Sequence, residues 1–125
     1  MKTIFLIDDS HTILMSMEQL LSRHSVKIEK ASDGEEAMRK LKAGLKPDLI
    51  ITDINMPRKD GMQLIREVKQ DPRFRFTPIL VLTTEFDATK KTEAKKLGAT
   101  GWLVKPVNGE QLLAVLKQVL PGAVA

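Results

Sequence analysis

The 125-residue sequence contains no cysteine and no tyrosine, and its aromatics are one tryptophan and four phenylalanines. Without cysteine there can be no disulfide scaffold, zinc–thiolate centre, thiol nucleophile or iron–sulfur cluster, and a reducing compartment is compatible. No apolar run approaches the roughly 20 residues that span a bilayer. The opening stretch reaches Asp8 and Asp9 too soon for a secretory signal. The expectation is a cytoplasmic protein with no membrane insertion. A glycine-rich phosphate loop is also missing, which argues against tight ATP binding.

What is present reads as one ordinary globular domain. Hydrophobic residues make up 42% and charged residues 29%, enough apolar mass for a core at this length. The expected division is a domain over 1–121 and a short tail over 122–125. The net charge of +4 is uneven: 8 basic and 9 acidic residues lie in 1–57, against 12 and 7 in 58–125. The only basic–aromatic run is Arg73, Phe74, Arg75 and Phe76. With no helix-turn-helix or zinc-finger spacing, solvated lysines explain the basic half better than nucleic-acid binding does.

Five short apolar runs alternate with amphipathic stretches. Thr3–Ile7, Leu49–Thr52, Ile79–Thr83 and Trp102–Val104 are nearly continuous in apolar residues, the signature of parallel strands buried on both faces. Val26–Ala31 alternates instead and predicts an edge strand. Helical patterns follow: Ser10 caps a stripe of Ile13, Leu14, Met17, Leu20 and Leu21, and Asp33 caps Ala37, Met38 and Leu41, ended by Gly44. Met62, Ile65 and Val68 mark a third helix, and Leu112, Leu113, Leu116, Val119 and Leu120 a fifth that Pro121 closes. The fourth, about 87–97, offers only Ala88, Ala94 and Leu97 for burial, so it is either a weakly held moving part or simply an exposed surface helix. Five β–α units imply a five-stranded parallel sheet with helices on both faces.

In such a sheet, ligands bind beyond the carboxyl ends of the strands. Asp8 and Asp9 follow the first run, Asp53 the third, Thr83 and Thr84 end the fourth, and Lys105 follows the fifth. The second run delivers nothing ionisable before Asp33. Singly, each residue has a plain explanation as a cap, a turn or a strand residue. Together they meet at one edge. Clustered carboxylates repel unless a cation joins them, and hard oxygen donors without nearby histidine or cysteine suit Mg²⁺, with Mn²⁺ an alternative. His11 and His24 lie on the first helix pattern and read as exposed or structural rather than as ligands. Lys105 can neutralise phosphoryl oxygens, and the Thr83 hydroxyl can donate to one of them. A carboxylate between a divalent ion and a lysine is a competent nucleophile toward phosphorus.

Asp8-Asp9-Ser10, Ile50 through Pro57 with Gly61, Leu82-Thr83-Thr84 and Val104-Lys105-Pro106 together resemble the receiver domains of two-component response regulators, and more narrowly the single-domain chemotaxis regulators of the CheY type. The resemblance covers essentially the whole chain, with Asp9, Asp53, Thr83 and Lys105 spaced 44, 30 and 22 residues apart. It implies a flavodoxin-like strand order of 2-1-3-4-5 and a phospho-acceptor at Asp53, fed by a histidine kinase of the CheA type. It further implies Mg²⁺ held by Asp8, Asp9, Asp53 and the Asn55 carbonyl, with Lys105 on the phosphoryl group and in a cis bond to Pro106. Thr83 would turn inward, Trp102 would be the aromatic switch, and Asn55 and Glu85 would tune dephosphorylation. Output would pass through the face formed by the fourth helix, fifth strand and fifth helix to a partner such as a flagellar switch component. The protein would act as a monomer and catalyse only its own phosphorylation and dephosphorylation. Trp102 stands where Tyr or Phe is usual, Leu14 where many chemotaxis regulators carry arginine, and the pI of about 9.4 is high for the family.

Other readings carry their own signatures. A phosphate sink or a phosphorelay shuttle outside chemotaxis would use the same acceptor. An Asp-nucleophile phosphatase of the haloacid-dehalogenase type needs a second Asp two residues after the first, where Asn55 stands. A flavodoxin-like electron carrier needs a Ser/Thr-rich phosphate loop. A purely structural pseudo-receiver would lack the Asp8-Asp9 pair, Asp53, Thr83 or Lys105, and all are present.

Overall fold

The computed structural model describes residues 1–122; the remainder of the expected tail, 123–125, lies outside the described residues. Strands β1 (Lys2–Ile7), β2 (Val26–Ala31), β3 (Leu49–Thr52), β4 (Ile79–Thr83) and β5 (Gly101–Val104) alternate with helices α1 (His11–Leu21), α2 (Gly34–Lys42), α3 (Gly61–Gln70), α4 (Ala88–Leu97) and α5 (Gly109–Val119). The strands form one parallel sheet in the order β2-β1-β3-β4-β5.

The continuous apolar runs arise because successive strand side chains point to opposite faces and both faces are covered. Ile4, Leu6, Leu49, Ile51, Leu80 and Leu82 pack under Leu14, Met17 and Leu21 of α1 and Leu112 and Leu116 of α5. Phe5, Ile7, Ile50, Ile79 and Val81 pack under Ala37 and Leu41 of α2, Leu64, Ile65 and Val68 of α3, and Ala94 of α4. Helices α1 and α5 therefore cover one face, and α2, α3 and α4 the other.

Each helix begins with a side-chain cap in the loop that follows a strand: Ser10, Asp33, Asp60, Asp87 and Asn108 each accept a backbone N–H of the first turn. At Asp60 the bond is reciprocated by Gln63, a capping box. These caps fix the loops along the carboxyl edge of the sheet.

Two expectations need correction. Strand β5 is not buried on both faces: it is the far edge of the sheet, its residues are only partly covered, and Val104 is 41% exposed. Its position leaves one flank unpaired, and α4, which should shield it, buries only Ala94 while Ala88 is exposed and Leu97 half-buried. His24 lies beyond α1 rather than on it, in the turn that donates to the Leu21 carbonyl.

Candidate functional site

Pairing of the central strands brings the acidic residues together. Ile7 of β1 is in register with Thr52 of β3, so Asp8 and Asp53 follow at adjacent strand ends. The Asp53 N–H donates to the Ile7 carbonyl at 3.0 Å and the Asp8 N–H to the Ala31 carbonyl at 3.1 Å. On the other side Thr83 pairs with Val104, which sets Lys105 next in line.

Lys105 joins the two carboxylates. Its Nζ donates to Asp8 Oδ2 at 2.6 Å and to Asp53 Oδ2 at 2.9 Å. The other oxygen of each carboxylate accepts from the backbone: Asp8 Oδ1 from the Ser10 N–H at 2.9 Å, and Asp53 Oδ1 from the Ile54 and Asn55 N–H groups at 2.6 and 3.4 Å. Asp8 and Asp53 are 4% and 7% exposed. A carboxylate withdrawn that far from water requires charged or hydrogen-bonding partners, and each has both.

Asp9 completes the group from the exposed side: one oxygen from each of Asp8, Asp9 and Asp53 lies within 4.8 Å of the others. Lys105 pairs with Asp8 and Asp53 and not with Asp9, so the three carboxylates outnumber the one ammonium and the cluster carries excess negative charge on the side where Asp9 is exposed. Oxygen-only donors at this separation suit a hard divalent cation, so the residues fit Mg²⁺.

The electrostatics follow from burial. Desolvation raises the Asp8 carboxyl above its ordinary range, and Lys105 and the Ser10 N–H only partly offset this. Burial pulls Lys105 downward, yet its hydrogen bonds to Asp8 and Asp53 and their charges outweigh this, so its proton is held more tightly than usual. Lys105 thus remains a cation at any physiological pH.

The remaining residues singled out in the sequence lie around this cluster without all touching it. Thr83 is fully buried, and its hydroxyl accepts the Glu85 N–H at 3.2 Å; its carbonyl accepts the Lys105 N–H at 2.8 Å, while among the described residues no hydrogen bond joins the hydroxyl to Asp53 or Lys105. Trp102 is half-buried and donates its indole N–H to the Glu85 carbonyl at 3.2 Å. Glu85 pairs with Lys90 at 3.3 Å and accepts the Asp87 N–H at 3.1 Å. Asn55 is exposed. The Lys105–Pro106 peptide bond is cis.

Gly61 fixes how closely α3 approaches Asp53. A Cβ there would stand 2.1 Å from the Asp53 carbonyl oxygen, and its N–H donates to the Ile54 carbonyl at 2.9 Å. Sequence reasoning missed the ties that hold the loop after Asp53, from Arg58 to Asp33 and from Gly34 to Lys59. Asp33 was legible only as a helix cap.

The sequence profile of the response regulator receiver domain matches residues 4–117. The chain is 34% identical over 122 residues to Protein PilH of Pseudomonas aeruginosa, covering 98% of this chain and all of that one. It is 35% identical over 118 residues to chemotaxis protein CheY1 of Helicobacter pylori, covering 94% of this chain and 95% of that one. The crystal structure of chemotaxis response regulator CheY4 of Vibrio cholerae superposes with a TM-score of 0.89 at 42% identity, covering 96% of this chain and 99% of that one.

Proposed function

The chain belongs to the response regulator receiver domain family, the phospho-accepting part of two-component signalling, and from that premise we propose that Asp53 takes a phosphoryl group from the phosphohistidine of a CheA-type kinase. A carboxylate oxygen of Asp53 forms a bond to phosphorus, and the phosphorus–nitrogen bond breaks with its electron pair passing to the imidazole. The product is an acyl phosphate; its hydrolysis by water returns the carboxylate and releases inorganic phosphate. The chain catalyses nothing beyond these two reactions on itself. The observation that carries this reading is the bridging of Asp8 and Asp53 by Lys105, with Asp9 completing the carboxylate group.

Asp8, Asp9, Asp53 and the Asn55 carbonyl would hold Mg²⁺, or Mn²⁺ through the same oxygens. The ion, when bound, supplies positive charge against the transferring phosphoryl oxygens. Lys105 exchanges its bond to Asp53 for one to the phosphoryl group and keeps Asp8 as its anchor. The two amides on Asp53 Oδ1 orient the carboxylate so that its other oxygen faces the donor.

Phosphorylation turns the single negative charge of the Asp53 carboxylate into close to two on the acyl phosphate and brings new acceptor oxygens beside Thr83. The Thr83 hydroxyl then leaves the Glu85 N–H and donates to the phosphoryl group. That frees the β4–α4 loop, and Trp102, anchored on the same loop through the Glu85 carbonyl, moves with it. Glu85 and Asn55, flanking the site, tune how water reaches it. The face of α4, β5 and α5 carries the change to a protein partner such as a flagellar switch component. The receiver spans 1–121 and works as a cytoplasmic monomer that contacts no nucleic acid. Incubation with acetyl phosphate and Mg²⁺ followed by intact mass should show one added phosphoryl group, lost in Asp53→Asn. An unchanged mass in wild type, or a gain that persists in Asp53→Asn, would refute the assignment.

A further inference from the structure

The loop after Asp53 contains Arg58, whose φ of +65° makes it the non-glycine residue with left-handed backbone among those described. An L-residue with a long side chain resists that conformation, and such outliers persist where the surroundings enforce them. The Arg58 side chain, otherwise largely exposed, is held by Asp33. Arg58 Nε donates to Asp33 Oδ2 at 2.9 Å and Nη2 bonds the same oxygen, while Glu35 Oε2 lies 3.9 Å from Nε. Asp33 is 2% exposed, and its other oxygen caps α2 through the Glu36 N–H at 2.8 Å.

A second tie runs alongside. The Gly34 N–H donates to the Lys59 carbonyl at 3.0 Å, and a Cβ at Gly34 would lie 2.4 Å from that oxygen, so the two backbones touch. Lys59 in turn pairs with Glu67 of α3. The loop 54–60 is thus pinned to the start of α2 at its far end. At its near end it supplies the Ile54 and Asn55 amides that hold Asp53 Oδ1.

We propose that Arg58, clamped by Asp33, is a positioning residue for phosphoryl acceptance: the ion pair sets the loop path that orients the Asp53 carboxylate and presents the Asn55 carbonyl to the metal. This rests on the reading of Asp53 as acceptor. The ion pair makes no contact with the reacting atoms and acts through the backbone between residues 53 and 58.

The chemistry offers clean variants. Arg58→Gly removes the guanidinium and also relieves the left-handed backbone, so any loss of function cannot come from added strain. Asp33→Asn removes the charge but keeps a good helix cap. Both, and the double variant, are to be compared with wild type by Mg²⁺ calorimetry, by the rate of phosphoryl gain from acetyl phosphate, and by thermal melting. The expected result is a loss of roughly tenfold or more in Mg²⁺ affinity and in rate for each single variant, the size typical of groups that orient metal ligands. The double variant should be no worse than either single one, with melting little changed. Wild-type affinity and rate in the folded Asp33→Asn protein would overturn the proposal, as would losses that add in the double variant. Should wild type itself take no phosphoryl group, the acceptor reading fails, and the Mg²⁺ affinities alone still decide whether the clamp matters.

Discussion

Trp102 and Glu85 are joined across 17 residues by a hydrogen bond from the indole N–H to a backbone carbonyl, 3.2 Å long. The same Glu85 offers its own N–H to the buried Thr83 hydroxyl. The lone tryptophan is therefore wired to the residue expected to respond to phosphate, through a single peptide segment. Phosphorylation of wild type should change Trp102 emission. In Thr83→Ala, intact mass should still register the phosphoryl group while the emission change is largely lost. A full emission change in Thr83→Ala would break the proposed link.

Removing Lys105 exposes the cluster's charge imbalance. Lys105→Met leaves two buried carboxylates without their ammonium, and breaking such a pair costs about 3–5 kcal/mol. Chemical denaturation without divalent ions should reveal a loss of that order. Mg²⁺ should restore more stability to this variant than to wild type, because the competing ammonium is gone and ligand binding stabilises by mass action. Equal Mg²⁺ stabilisation of the two proteins would show that Lys105 and the metal do not share these oxygens.

Asp33 predicts an acid-sensitive contribution to stability. The Glu36 N–H, and next to it the Arg58 guanidinium, hold its carboxyl below the ordinary aspartate range despite burial. A depressed folded-state value means that the stabilisation is complete above about pH 4, the unfolded aspartate range, and disappears as pH falls through the folded value. Asp33→Ala should lose about 1 kcal/mol at neutral pH, as for other N-caps. The gap from wild type should narrow on acidification. A gap independent of pH between neutrality and pH 3 would contradict this.

Gly61→Ala forces a Cβ toward the Asp53 carbonyl oxygen, 2.1 Å away in the present backbone. Backbone cannot yield as a flexible side chain can, so the start of α3 must retreat. We expect a stability loss of about 2–3 kcal/mol, at the upper end for single substitutions. Phosphorylation should slow in the fraction that remains folded, measured by intact mass against time. Wild-type stability with wild-type rate would show that α3 and the acceptor are not rigidly coupled.

The sequence made the sheet legible because its central strands bury both faces, which leaves uninterrupted runs such as Leu49–Thr52. It made Asp8, Asp53 and Lys105 legible because each directly follows such a run, and a parallel sheet collects strand ends at one edge. Strand β5 was misread since a run of apolar residues does not say whether a neighbour will cover it. The Trp102 bond was invisible because a backbone carbonyl accepts whatever side chain it belongs to. Arg58 was invisible for another reason: its role depends on a left-handed turn and on Asp33, 25 residues earlier, in a different loop.

The central claim is that Asp53, among three clustered carboxylates, becomes the acyl phosphate. After incubation with acetyl phosphate and Mg²⁺, borohydride reduces an aspartyl phosphate to homoserine, and peptide mass mapping locates it. Homoserine at position 53 alone is the predicted result. Homoserine at position 8 or 9, or at none of the three in a protein that has gained phosphate, would contradict the account.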